Sequence, residues 1–290
     1  MVPHFSVDQT LRLVAAANGY LGTMDRLLLR KSWLVRGHEA LVLLSMYVTF
    51  TFAWFCVGWL LIHPLAGSTI AHMDRSVSEW FVLQRTPGLN SLTAAGSFLG
   101  DTTMKVTVTA IVALVMLWRW KRWLEPLMVV IPLILEALSF ITITVLVGRP
   151  RPNVVRLDGS PVGSSYPSGH MAAAVAYAAI IVVVFWHTRR VWIRVIAVAT
   201  GTFVAVAVGL SRMYRGMHFP TDVLFGALLG GASVVATAIV LRRASERQHV
   251  EFPQPIAPHS VAPHSVAPHS AAPQSIPASP TPTLIGVADQ

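Results

Sequence analysis

ALVLLSMYVTFTFAWFCVGWLLI, residues 40–62, decides the fold. A bilayer core is crossed by about 20 consecutive apolar residues in helical form. No Asp, Glu, Lys or Arg follows Glu39 until Asp74, so Ala40–Ile62 reads as a first membrane-spanning helix. Five further apolar runs read the same way: Thr103–Trp118, Pro126–Val147, Met171–Trp186, Val195–Leu210 and Thr221–Leu241. The reading is an all-α, polytopic membrane protein with six transmembrane helices. The first run is long for a signal peptide and follows a long charged segment, so it reads as a retained helix.

Composition agrees. Of 290 residues, 54 % are hydrophobic and only 12 % charged, against about 25 % charged in soluble domains. Mean hydropathy is +0.59. A disordered chain is excluded and a soluble enzyme disfavoured. The net charge of +9 sits in short clusters between apolar runs, which is a topology signal and not a nucleic-acid surface. The clusters are Arg26, Arg30, Lys31 and Arg36; then Arg119, Lys121 and Arg122; then Arg189, Arg190 and Arg194; then Arg242, Arg243 and Arg247. With six spans all four fall on one side, which the positive-inside rule makes cytoplasmic. Both termini are then inside, and the segments 62–102, 148–170 and 211–220 face outside.

Three regions follow: a cytoplasmic segment 1–39, a membrane domain 40–242 and a disordered tail 243–290. Leu11–Leu29 reads either as an interfacial amphipathic helix or as an ordinary extension. The tail repeats Ala-Pro-His-Ser at a period of five over 257–275, where dense proline prevents helix. Its His259, His264 and His269 read as incidental to a low-complexity tail rather than as metal ligands. The single cysteine, Cys56, lies in the first span and reads as a small apolar residue.

Polar chemistry concentrates on the predicted outer face, in Gly148-Arg149-Pro150-Arg151-Pro152, in Tyr166-Pro167-Ser168-Gly169-His170, and in Ser211-Arg212 with His218 and Asp222. Arg151 and Arg212 offer planar forks of donors suited to phosphate oxygens. Ser168 and Gly169 open a helix, whose free amides favour anions. His170 and His218 remain for proton transfer or attack. Pro220 suits the first position of a helix, placing His218 just before the helix and Asp222 in its first turn. A carboxylate there can hold one imidazole nitrogen and leave the other as a nucleophile. Each feature alone also has a structural reading. The arginines can anchor at the interface, Ser168 can cap a helix, and the His218–Asp222 pair can be a helix-start hydrogen bond. These readings weaken jointly, because all three segments fall on the same predicted face in the order and spacing of one known signature.

This arrangement resembles the type 2 phosphatidic acid phosphatase (PAP2) family, which shares its site with vanadium haloperoxidases and bacterial acid phosphatases. The family's motifs are Lys-x6-Arg-Pro, Pro-Ser-Gly-His and Ser-Arg-x5-His-x3-Asp. Pro167–His170 matches the second, and Ser211, Arg212, His218 and Asp222 match the third. Arg151-Pro152 matches the first, with Thr144 in place of lysine. The resemblance implies a PAP2-like helical bundle in which His218 attacks phosphorus, Asp222 orients it, and His170 protonates the leaving oxygen and then activates water. Arg151, Ser168, Gly169 and Arg212 are implied to hold the phosphoryl oxygens, with no metal or cofactor. Phosphoryl transfer needs mainly positioning and charge compensation. Thr144, Arg149 and Arg215 are auxiliary candidates for the missing lysine's place, and Lys105 is a more distant one. The implied substrate is a membrane lipid phosphate or diphosphate: a polyprenyl diphosphate, phosphatidic acid or phosphatidylglycerol phosphate. A lipid phosphotransferase and a non-catalytic lipid-binding or transport homologue are the alternatives.

Two acidic positions carry separate expectations. Glu136, mid-span, reads as a buried hydrogen-bonded group or as the lining of a polar cavity. Asp74 and Asp101 read as solvated loop acids.

Overall fold

The computed structural model describes residues 37–159 and 163–251. Among these, nine helices follow in order: α1 Gly37–Ile62, α2 Thr69–Leu83, α3 Pro87–Phe98, α4 Thr102–Trp120, α5 Leu124–Val147, α6 Gly169–Ala176, α7 Ala178–His187, α8 Val191–Tyr214 and α9 Pro220–Glu251. Six spans are long and apolar enough to cross a bilayer, with α6 and α7 together forming the fourth, Gly169–His187. The expected segment at Leu11–Leu29 and the repeat tail with its three histidines lie outside the described residues.

The six expected spans are present, and most of their ends are longer than hydropathy suggests. The fifth reaches Tyr214, which places Ser211 and Arg212 on the helix and not in the joining segment. The sixth runs on to Glu251, so Arg242 and Arg243 lie on it. Arg247 of α9 pairs with Glu39 of α1. Charged helix ends of this kind lie beyond the apolar stretch, where hydropathy stops reporting helix.

Large apolar side chains face outward, among them Phe52, Trp118, Val145 and Phe203. In a bilayer this is the solvated surface, so apolar burial does little to hold helices together and close packing must. Gly226 and Gly230, four apart on α9, supply it. A Cβ at Gly226 would run into the Ser168 carbonyl, and one at Gly230 into the Ala172 carbonyl. The α6 and α9 backbones therefore touch directly behind the second motif. Polar bonds add to this. Trp54 Nε1 of α1 donates to the Phe225 carbonyl of α9 at 2.8 Å. Tyr47 and Thr142 hydroxyls link α1 to α5, also at 2.8 Å. Two apolar clusters fill the bundle, one around Met128, Ala179, Val183 and Leu241, the other around Ile143, Tyr166, Ala172 and Leu229.

The segment 62–102, which hydropathy leaves without assigned structure, contains α2 and α3. Thr86 caps α3 by accepting from Leu89 N, and Asp101 caps α4 by accepting from Thr103 N at 2.9 Å. Asp101 is half-buried as that cap. Asp74 is not a solvated loop acid. It lies on α2 and is 2 % exposed. Glu136 is fully buried on α5 and accepts a hydrogen bond from Lys105 Nζ at 3.1 Å. That is the buried, hydrogen-bonded arrangement. It also pairs the Lys105 ammonium with Glu136, from where its charge still reaches His170.

Candidate active site

The three motif segments meet at one end of the bundle, woven by backbone bonds. Gly148, at φ +62°, ends α5 in a left-handed turn that glycine adopts without steric penalty. The chain then enters Arg149–Pro152. The Arg149 carbonyl accepts from Ser165 N at 2.8 Å, and the Pro150 carbonyl from Ser165 Oγ at 3.1 Å. Arg151 Nη1 donates to the Met217 carbonyl at 2.6 Å. Ser168 N donates to the Asp222 carbonyl at 2.9 Å. Each segment is thus positioned by the other two.

Ser168 is buried and is the N-cap of α6, its Oγ accepting from Met171 N. Gly169 follows, against the Phe140 ring, where a Cβ would lie 2.9 Å from ring carbons. As a first-turn amide it has no intrahelical acceptor. His170, on the same turn, is half-buried and lies within electrostatic reach of Arg212, Asp158 and His218.

His218 is 4 % exposed, and its Nδ1 lies 2.6 Å from the Ser165 carbonyl. A carbonyl only accepts, so Nδ1 must carry a proton. Burial, with the charges of Arg212 and Arg151 beside it, lowers the ring's proton affinity well below the ordinary histidine range. The neutral ring therefore keeps its lone pair on Nε2, the tautomer a nucleophile needs.

The expected Asp222–imidazole hydrogen bond is not made. Asp222 is fully buried; its Oδ2 accepts from Phe219 N at 2.8 Å and its Oδ1 from Arg149 Nη1 at 2.6 Å. With α9 starting at Pro220, Asp222 is the third helical residue. It reaches back to the N-cap amide, which is half of a capping box. The reach is local, and the carboxylate also lies within hydrogen-bonding reach of the Ser165 side chain, whose own carbonyl meets the ring. Asp222 thus holds the residue after His218, while Ser165 holds the ring.

Arg149 does not anchor at the interface. It is 6 % exposed, and its Nη2 donates to Asp74 Oδ2 at 2.8 Å. The guanidinium lies over the Phe219 ring at 4.5 Å. Thr221 completes the cluster, donating its Oγ1 to Asp74 Oδ2 at 2.6 Å and its N to Asp74 Oδ1 at 3.1 Å. Burial alone would weaken the guanidinium's hold on its proton, but the Asp222 and Asp74 carboxylates outweigh it and raise its proton affinity. Arg149 is therefore a strut between α2 and the start of α9.

Arg212 Nη1 donates to Ser97 Oγ at 2.8 Å and to Asp158 Oδ2 at 3.0 Å. Arg215 grips the same carboxylate, Nε to Oδ2 at 2.7 Å and Nη2 to Oδ1 at 2.5 Å. The two auxiliary arginines, Arg149 and Arg215, are thus each paired with carboxylates. Thr144 is buried on the last turn of α5, and its Oγ1 has no hydrogen-bond partner among the described residues. Sequence reasoning gave Asp74 only the role of a solvated loop acid and passed over Ser97, Asp158 and Ser165. None stands inside a motif, and no spacing rule links them to one.

A cleft of about 420 Å³ opens beside Arg151, walled by Leu61 and Ile62 of α1 and by Asp74, Ser78 and Glu79 of α2. Among the described residues no three His, Cys, Asp or Glu gather as metal ligands.

The PAP2 superfamily profile matches residues 127–246. The chain is 30 % identical over 166 residues to phosphatidylglycerophosphatase B of Bacillus subtilis (strain 168), covering 56 % of this chain and 80 % of that protein. It is 36 % identical over 74 residues to the undecaprenyl-diphosphatase of Sulfolobus acidocaldarius, covering 26 % of this chain and 32 % of that one. The crystal structure of the first transmembrane PAP2 type phosphatidylglycerolphosphate phosphatase from Bacillus subtilis is similar, with TM-score 0.59 and 26 % identity. It spans 69 % of this chain and 96 % of that one. Six membrane helices bring three motif segments to one pole, and the sequence likeness runs through those same segments, so the chain belongs to the PAP2 superfamily, in its membrane phosphatase branch.

Proposed function

We propose that this protein removes phosphate from a membrane lipid phosphate or diphosphate at the bilayer surface, through a phosphohistidine on His218. One observation carries the reading. The neutral His218 ring, donating from Nδ1 to Ser165, keeps a nucleophilic Nε2 in a cluster with Arg151, Arg212 and His170. Nε2 attacks the terminal phosphorus, a P–N bond forms, and the P–O bond to the leaving group breaks, which is the lipid alcohol of a monophosphate or the lipid monophosphate of a diphosphate. His170, starting as the imidazolium, gives its proton to the departing oxygen and becomes neutral. It then takes a proton from water as that water attacks phosphorus, the P–N bond breaks and inorganic phosphate leaves. Arg151, Arg212, the Ser168 hydroxyl and the Gly169 amide compensate charge on the phosphoryl oxygens. A lipid suits the surroundings, since the site sits at the end of apolar helices and a tail can stay in the bilayer while the headgroup enters.

The test is phosphate release by the purified full chain in detergent, from a polyprenyl diphosphate, phosphatidic acid and phosphatidylglycerol phosphate, with and without a chelator. Release that survives the chelator is the expected result. No release from any of the three, or release abolished by the chelator, would defeat the reading.

The site is proposed to face outside, because the basic clusters at the α4–α5 junction, the α7–α8 junction and the end of α9 all belong to the opposite pole. Val155, 74 % exposed beside the site, offers a probe. In a Cys56→Ala background, Val155→Cys should react with an impermeant maleimide on intact cells or protoplasts. Reaction only after lysis would invert the topology.

A further inference from the structure

Arg212 is 4 % exposed, yet its hydrogen bonds are unevenly placed. Both acceptors, Ser97 Oγ and Asp158 Oδ2, sit on Nη1. The buried Nε makes no hydrogen bond among the described residues. The Nε–Nη2 edge is the one that meets a phosphate or carboxylate with two parallel donors. A buried donor without an acceptor is costly unless something fills it.

The support behind Nη1 is itself anchored. Asp158 accepts twice from Arg215, at 2.7 and 2.5 Å. Arg215 in turn donates from Nη1 to the Asn90 carbonyl at 3.0 Å and towards Thr93 Oγ1 at 3.4 Å. Asn90, Thr93 and Ser97 lie three and four apart, so they form one stripe of α3. That stripe faces the end of α8, where a Cβ at Gly96 would collide with Ser211. Tyr214 of α8 donates its hydroxyl to Asn90 Oδ1 at 2.9 Å and closes the bracket. Burial opposes the charge on Asp158, but the hydrogen bonds and charge of Arg215, with the charge of Arg212, hold its carboxyl below the usual carboxylate range. It is ionised at any neutral assay pH.

We propose that Asp158 is a positioning residue: with Ser97 it holds Arg212 by Nη1, so that the Nε–Nη2 edge faces the phosphoryl group. This rests on the phosphatase reading above. A second account predicts the opposite sign. A carboxylate beside an anion site repels phosphate or occupies its place, so neutralising it would tighten anion binding.

The experiment compares wild type, Asp158→Asn, Asp158→Glu and Ser97→Ala as full chains in detergent. It reads kcat and KM for phosphatidic acid, orthovanadate binding by calorimetry, and the thermal midpoint. Partners that orient metal ligands command about 10- to 100-fold, and the same order is expected for a partner that orients Arg212. Asp158→Asn should therefore lower kcat/KM by roughly that factor, mostly in kcat, and weaken vanadate binding in parallel. Asp158→Glu, which keeps the charge, should recover part of both. Ser97→Ala changes no charge and should move both the same way by about threefold or more. It serves as the test if Asp158→Asn fails to fold. Unchanged or tighter vanadate binding in these variants overturns the proposal. Vanadate binding that depends on Asp158, in a wild type that releases no phosphate from any of the three lipids, would sink the phosphatase reading and leave the positioning of Arg212 standing. Full turnover indifferent to Asp158 would do the reverse, and a wild type that neither binds vanadate nor releases phosphate from any of the three lipids would defeat both.

Discussion

His218→Ala is expected to reduce phosphate release by at least about 10³-fold while the protein stays folded, because no other group can form the covalent intermediate. The buried His218 side chain hydrogen-bonds to the Ser165 carbonyl, and the bonds that weave the segments together run through other residues, so its loss leaves that weave intact. Single-turnover phosphate release and the thermal midpoint in detergent would be measured together. Residual activity above about a tenth of wild type would refute covalent catalysis at this position. The pH profile gives an independent check. A free histidine gains its proton near pH ~6.5. Burial and the nearby Arg212 and Arg151 depress the His218 value, so the neutral nucleophile persists as pH falls through that range. After correction for the substrate's own ionisation, kcat/KM should show no acid limb at about pH 6.5 from this ring. The same sign applies to folding. The unfolded chain takes up the proton first, so this site's contribution to stability declines as pH drops below about 6.5.

Arg149→Met is expected to be the most destabilising single change at the pole of the bundle where the motifs meet. It would leave the Asp74 and Asp222 carboxylates, 2 % and 0 % exposed, facing one another with no cation between them. Removing one partner from a buried charge cluster costs about 3–5 kcal/mol. The Phe219 face and Thr221 Oγ1 would lose their guanidinium contacts as well. The expected observation is a large drop in the detergent thermal midpoint, together with loss of activity, since Asp222 would no longer be fixed beside the His218 turn. Asp74→Asn, which keeps the hydrogen-bonding shape, should cost less. An unchanged midpoint in Arg149→Met would show that the cluster does not hold α2 against α9.

This second prediction bears on what the motifs mean. Arg149 looks in sequence like a spare cation beside Arg151, available to replace a lysine missing at Thr144. In the fold the two arginines have different tasks. Arg149 joins α2 to the α9 start, while Arg151 holds the Met217 carbonyl next to His218. Arg215 likewise serves Asp158. Positive charge near the motifs is plentiful, and most of it is structural.

Sequence alone determined the six spans and the meeting of the three motifs. A span must supply about 20 apolar residues within one stretch of chain, so it is written locally. Motif spacing is equally local: Pro220 two residues after His218 sets where α9 begins, whatever the rest of the bundle does. Only the tertiary structure decided the partners. α2 and α3, 15 and 12 residues long, are too short to read as spans, yet they deliver Asp74, Asn90 and Ser97 to residues more than a hundred positions away. A four-residue spacing suggested that Asp222 would hold the His218 ring. The capping geometry at Pro220 sent its carboxylate back to Phe219 N and across to Arg149, and left the ring to Ser165. The physical reason is one of range. Apolar run length and helix starts depend on neighbours in the chain. A buried carboxylate or guanidinium takes whichever opposite group the packed helices bring within about 3 Å.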